Sequence, residues 1–194
     1  MPKLGMEPIR RDALVKATIA EIGAAGTLSV TVSQIARRAG VSSALAHHYF
    51  GGKEQIFEAA MRFTLDVYSA EVRGALVMAK DHRSRVEAIV RASFSPRNFR
   101  RETVAAWMNF YVLAQVSEEA RRLLTIYQRR LRSNLAHDLR PLVGARARSA
   151  ADRIAALIDG VYLQQSLGRN APDGAQAIAE VLGYLDLELA KGLS

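Results

Sequence analysis

The chain has 194 residues, with 27 Lys plus Arg against 19 Asp plus Glu, a net charge of +8, and 49% apolar residues. That is enough to bury a core in one domain, or in a small domain joined to a larger one, and too apolar for a disordered chain. Zero cysteines exclude a disulfide scaffold and thiolate metal sites. No uncharged run reaches the ~18 residues of a membrane span, and no apolar stretch follows the charges of the N-terminus as in a secretory signal, so a cytoplasmic protein is expected.

The apolar spacing predicts helices nearly throughout. Ile9, Ala13, Leu14, Ala17 and Ile22 mark a first helix stopped by Gly26. Thr31 caps a short second helix and forms a Thr-x-x-Gln capping box with Gln34, while Ile35, Ala36 and Ala39 supply its inner face. Gly40 ends that helix, Val41 plugs the turn, and Ser42 caps a third helix reaching Tyr49 and Phe50. After Gly51-Gly52 a long fourth helix starts at Lys53, with Ile56, Phe57, Ala60, Phe63 and Val67 on its inner side.

A larger helical region follows. Helices are expected from Arg85 to Phe94, ended by Ser95-Pro96, from Glu102 to Val116, and from Glu118 to Leu139, where Pro141 and Gly144 interrupt. Ala150 to Leu167 and Ala175 to Leu189 form a final pair. No repeat, low-complexity tract or long linker breaks the chain, and the fold class is all-α.

Residues 1–53 hold seven basic and three acidic side chains, a balance of +4, half the total charge in little more than a quarter of the chain. A compact basic unit attracts polyanions and releases their counterions. A merely solvated surface has the same composition, so charge leaves both readings open.

The segment from Thr31 to Lys53, TVSQIARRAGVSSALAHHYFGGK, is more specific. Two short capped helices joined by a turn containing Gly40 make a helix-turn-helix. Small residues such as Ala36 and Ala39 let the helices cross closely. Ser43, Ala44 and His47 are left to face outward, where short side chains can meet base edges in a major groove. Tyr49 and Lys53 flank that face and can reach phosphates, and His48 is a further DNA-contact candidate whose partner, phosphate or base, stays open; Thr31, Ser33 and Ser42 place hydroxyls at helix N-termini, where anions are favoured. The plainer alternative is a helical hairpin inside a bundle, but the second helix has too little apolar surface for a core position.

The helix, the helix-turn-helix and the Phe50-Gly51-Gly52-Lys53 step resemble the TetR family of bacterial repressors, and Ile35 to Ser42 is close to the family pattern. Many members end the recognition helix in Tyr-x-His-Phe; here His47-His48-Tyr49-Phe50 exchanges the aromatic and the histidine. Met1 to Met6, His48 to Phe50, Ala105 to Trp107 and Ala155 to Gly160 are similar to the family's choline-responsive repressors of glycine-betaine synthesis. The resemblance implies a DNA-binding domain over 1–53 and an effector-binding, dimerisation domain over 54–194. It also implies a homodimer joined through the last two helices, on an inverted-repeat operator of double-stranded DNA.

Apolar stripes agree with such a seam: Ile154, Leu157, Ile158 and Val161 on one helix, and Ile178, Val181, Leu182, Leu185 and Leu189 on the other. The same stripes equally suit the chain's own core. Choline has no N–H donor, so its ammonium is held by aromatic faces, at ~0.5–2 kcal/mol per ring, with a carboxylate nearby. Trp107, Phe110 and Tyr111 share one helix; Phe94, Tyr127 and Tyr162 lie on others; Asp159 is a carboxylate in an apolar run. Each ring also suits a packed core, and Asp159 a backbone or arginine partner. Adjacent His47-His48 diverge by ~100° and cannot chelate one metal. No nucleophile motif or complete phosphate loop is present, so neither an enzyme nor a cofactor is expected. A helical small-molecule carrier or enzyme, with a purely structural N-terminal unit, is the rival from another class.

Overall fold

A computed structural model describes residues 5–168 and 170–191. Every regular element among them is helical, as the apolar spacing requires. In chain order these are α1 (Met6–Ala25), α2 (Val32–Arg38), α3 (Ser43–Phe50), α4 (Lys53–Met78), α5 (His82–Ser93), α6 (Arg101–Val116), α7 (Glu118–Val143), α8 (Ala147–Leu167) and α9 (Gly174–Ala190). A 3-10 turn, Gly144–Arg146, precedes α8. Residues 1–4, which include most of the opening motif, and Arg169 lie outside the described residues.

Local chemistry explains most boundaries. Gly26 ends α1 at φ 65° and donates its N–H to the Ile22 carbonyl at 2.9 Å. The Thr31 hydroxyl accepts from the Gln34 N–H at 3.2 Å, and Gln34 Oε1 accepts from the Thr31 N–H at 2.7 Å. Three boundaries differ from expectation by more than one residue. Helix α5 begins at His82 rather than Arg85, because Asp81 accepts from the Ser84 N–H at 2.7 Å while Ser84 Oγ accepts from the Asp81 N–H at 3.0 Å. Helix α7 runs through Pro141 to Val143. Proline's fixed φ is helical, and in the last turn it removes only the one N–H that would have met the His137 carbonyl. Gly144, at φ 57°, then turns the chain so that α8 starts at Ala147 rather than Ala150.

The chain divides into two compact units. One combines the helices up to Leu65 with Glu102–Leu123; the other combines Asp66–Arg101 with the chain from Leu124 onward. The first is built on Leu14, Ile22, Ile35, Ala36, Ala46, Ile56, Ala60 and Met61, all fully buried. On α4, Phe63 and Val67 are only half-buried, and Met61 and Leu65 take the inner positions assigned to them. Gly23 lets α1 approach α6: a Cβ there would lie 2.6 Å from the Glu102 carbonyl oxygen and 2.8 Å from its Cα. Backbone cannot swing aside, so Gly23→Ala is expected to lower stability by about 1–3 kcal/mol. Urea denaturation reads this as a lower midpoint at constant slope; an unmoved midpoint refutes the close approach.

In the second unit Ile154, Ile158, Val161, Val181 and Leu185 are buried within the single chain. Five of the nine residues of the two apolar stripes therefore belong to this unit's own core, while Leu157, Ile178, Leu182 and Leu189 are half-buried. On α8 and α9 the large apolar side chains left in solvent are Leu163 and Leu167, 51% and 77% exposed, and Leu187, 64% exposed.

Candidate nucleic-acid interface and effector site

The turn between α2 and α3 is closed by two hydrogen bonds that fix its direction. Gly40, at φ 69°, donates to the Arg37 carbonyl at 3.2 Å, and Val41 donates to the Ala36 carbonyl at 3.0 Å. This crossed pair satisfies the last carbonyls of α2 and needs a residue at ease with positive φ. Ser42 then accepts from the Leu45 N–H at 3.2 Å and starts α3. Ala36 and Ala46 are fully buried where the two helices meet.

Ala44, His47 and His48 are exposed on α3, and Tyr49 is half-buried. Ser43, expected to face outward, is half-buried and donates its hydroxyl to Ser33 Oγ at 3.2 Å, because its helical position turns it toward the start of α2. The Thr31 hydroxyl, expected at phosphate, donates to Gln34 Oε1 at 2.9 Å, so its proton serves the cap. His47 Nδ1 lies 3.1 Å from the Gly51 carbonyl. A carbonyl only accepts, so Nδ1 carries the proton and Nε2 of the neutral ring is an acceptor.

The local positive charge resolves into particular residues. Glu7 pairs with Arg11 at 2.8 Å, Asp12 with Lys16 at 2.6 Å and Glu21 with Arg38 at 2.6 Å. Arg10, Arg37 and Lys53 make no ion pair among the described residues; Lys53, the first residue of α4, holds Nζ 5.3 Å from the Phe57 ring centroid. Arg11 sits 5.4 Å from the ring centroid of Tyr49 and 5.1 Å from that of Phe50, bringing α1 charge to the end of α3. Composition gave no sign of this last contact, although aromatic-cation pairing is a signal that sequence can offer.

The candidate effector residues fall into three groups. In the first unit Trp107 meets Phe110 and Tyr111 edge to face, with centroids 6.3 and 5.8 Å apart. In the second, Phe94 stacks on Tyr162 at 5.6 Å, and Phe99 meets both. The Tyr162 hydroxyl donates to the Ser93 carbonyl at 2.7 Å, which makes this group a packed and hydrogen-bonded one. Also in the second unit, Tyr127 meets Tyr68 edge to face at 5.4 Å. Tyr68, on α4, was missed in the sequence. Its hydroxyl lies 3.1 Å from Ser93 Oγ, and burial pushes its pKa up to about 12, against the Ser93 hydrogen bond and with further help from the carboxylates of Asp159 and Glu71. Two rings and a carboxylate thus share one neighbourhood, with the Tyr68 hydroxyl held neutral. That combination suits an organic cation. Asp159 itself is half-buried and engaged by other groups.

Among the described residues no group of His, Asp and Glu side chains is placed to hold a metal ion, and no helix is long and apolar enough to cross a membrane. A short helix exposing Ala44, His47 and His48, set by a fixed turn and followed by Lys53 with no ion pair among the described residues, defines a helix-turn-helix DNA-binding protein.

Comparison with known proteins goes further. Residues 14–60 match the family described as bacterial regulatory proteins of the tetR family, and residues 82–190 match the C-terminal region of the BetI-type transcriptional repressors. The HTH-type transcriptional regulator BetI of Brucella melitensis biotype 2 is 49% identical over 191 residues, 98% of this chain and 96% of that protein. Its namesake in Agrobacterium fabrum is 52% identical, over 97% of this chain and 92% of its own. A transcriptional regulator of Pseudomonas aeruginosa PAO1 superposes with a TM-score of 0.81 at 27% identity, covering 97% of this chain and 93% of that one. A regulator from Saccharomonospora viridis, solved in complex with choline, superposes at 0.80 with 21% identity over 91% and 95% of the two chains, which shows the shared fold. The chain therefore belongs to the TetR family of transcriptional repressors and carries a BetI-type C-terminal region. It is a regulator and not an enzyme.

Proposed function

We propose that the protein is a cytoplasmic, homodimeric repressor of genes for making glycine betaine from choline, released from its operator by choline. What carries this reading is the exposed α3, with Ala44, His47 and His48 open to solvent, joined to a chain about half identical to the BetI regulators. In this reading residues 1–53 bind DNA, and residues 54–194 bind effector and dimerise. Leu163, Leu167 and Leu187 supply the subunit contact, and an inverted-repeat operator follows from two-fold symmetry. Ser42, Ser33, Tyr49 and Lys53 reach phosphates. His47 Nε2, an acceptor, suits the amino groups of adenine or cytosine.

Choline is held by the faces of Tyr68 and Tyr127 with Asp159 as counter-charge. Because α4 starts at the helix-turn-helix and contains Tyr68, it joins reader to sensor covalently. Effector then favours a subunit arrangement whose recognition helices no longer fit the half-site spacing, a shift of ~1–3 kcal/mol.

Gel retardation of the DNA upstream of the protein's own coding region, titrated with choline, betaine aldehyde and betaine, tests the whole reading. Retardation that choline alone reverses supports it; an unshifted fragment points to the carrier class. In the same assay Lys53→Ala is expected to weaken every duplex alike and to flatten the logarithmic salt slope by ~1, while His47→Ala changes base preference at one position by ~1–3 kcal/mol. An unaltered salt slope in the first variant removes Lys53 from the phosphate contacts.

A further inference from the structure

The helix-turn-helix does not hold the densest positive charge in the chain. Between Arg121 and Arg153 there are nine arginines, no lysine and only two acidic residues, a balance of +7. Of those acids, Asp138 is buried and bound by Arg85 at 2.8 Å and His82 at 3.0 Å from α5. The other, Asp152, stands 3.5 Å from Arg132. Arg122 pairs with Glu119, and Arg146 and Arg153 pair with Glu188. Arg129, Arg130 and Arg140 are exposed and make no ion pair among the described residues.

On α7 these charges form a line. At ~100° per residue, Arg122, Arg129, Arg132 and Arg140 fall within ~80° of one another and extend over ~27 Å of helix axis. That length equals about eight base-pair steps of 3.4 Å. Exposed Ser133 lies on the same face, and Ile126, 37% exposed, is the one large apolar side chain bordering it. Protein interfaces draw their energy from buried aromatic or aliphatic anchors, and membrane-surface helices from a broad apolar face; this face has neither. Guanidinium forks with a hydroxyl between them match phosphate oxygens.

We propose that the exposed face of α7 is a second docking surface for the phosphate backbone of double-stranded DNA, separate from the helix-turn-helix and indifferent to base sequence. It goes beyond operator recognition, because nothing in it reads a base.

The test uses the full-length protein and a fluorescent random-sequence 40-base-pair duplex, with anisotropy measured at a series of salt concentrations. Changing Arg129, Arg132 and Arg140 together to Gln is expected to weaken binding about tenfold at low salt and to make the logarithmic salt slope shallower by ~2–3. The same three residues changed to Lys should stay within about threefold of the parent. Ser133→Glu, a single exposed change that spares the fold, should weaken binding severalfold. Equal affinity and slope in the Gln and Glu variants overturns the proposal. So does a wild-type protein from which duplex RNA or polyglutamate displaces the probe better than unlabelled DNA, since the partner is then an RNA or an acidic protein. Retention of the upstream fragment separates this from the operator reading: the α7 variants keep it, and Lys53→Ala weakens it.

Discussion

Replacing Glu188 by Ala is expected to lower the unfolding free energy by about 3 kcal/mol, among the larger effects of any single side chain in the second unit. The carboxylate is wholly buried and receives four partners: the Tyr184 hydroxyl at 2.6 Å, Arg153 at 2.8 Å, Lys191 at 2.9 Å and Arg146 at 3.1 Å. Hydrogen bonds from Tyr184 and Lys191 first, then Arg153, hold its pKa down at about 2 against an ordinary 4.5. Alanine leaves three cations repelling one another around an empty space. Glu188→Gln keeps the volume and one acceptor for Tyr184, and the half-exposed cations can turn toward water, so its loss is nearer 1–2 kcal/mol. The sign of the pH dependence follows from a depressed carboxyl. The advantage of wild type over the Gln variant is complete above about pH 4.5 and disappears as pH falls toward about 2. Melting curves at pH 7 and pH 3 read this directly: the gap between the two proteins should narrow in acid. A constant gap places the effect in packing instead of charge.

The second large effect concerns the effector. Asp159→Asn is expected to weaken choline at least tenfold while leaving DNA affinity in the absence of effector unchanged. The amide keeps the shape of the side chain and one acceptor oxygen, replaces the other oxygen with an N–H donor, and removes the charge proposed to answer the ammonium. Tyr68→Leu removes one ring face, a loss of ~0.5–2 kcal/mol, whereas Tyr68→Phe keeps the ring and discards the hydroxyl bond to Ser93. Calorimetric titration with choline and with 3,3-dimethylbutanol, its neutral isostere, isolates the electrostatic part. Wild type should prefer the cation, and the preference should collapse in Asp159→Asn. Equal choline affinity in Asp159→Asn and wild type sinks the role given to this carboxylate.

How legible each part was in the sequence follows from the range over which its chemistry acts. The helix-turn-helix could be read because every determinant is local: the Thr31–Gln34 box, the positive-φ glycine at Gly40 and the Ser42 cap each act within a few residues. Aromatic candidates could be named but not sorted. Tyr127 meets Tyr68 from a helix far along the chain, and Phe94 and Tyr162 close on Phe99, a ring the spacing never marked. The apolar stripes of α8 and α9 had the right period for either a core or a seam, and period does not say which neighbour covers a face. Ser43 was placed outward because a helical wheel knows nothing of Ser33.

Helix type, most element ends and the reading head were thus determined by the chain alone, since capping, turn geometry and hydrophobic period are short-range properties of the backbone. Which rings meet one another, which leucines remain in solvent, and which arginines are left without an acid were decided only in three dimensions. Burial and pairing depend on residues that sequence separates and packing brings together.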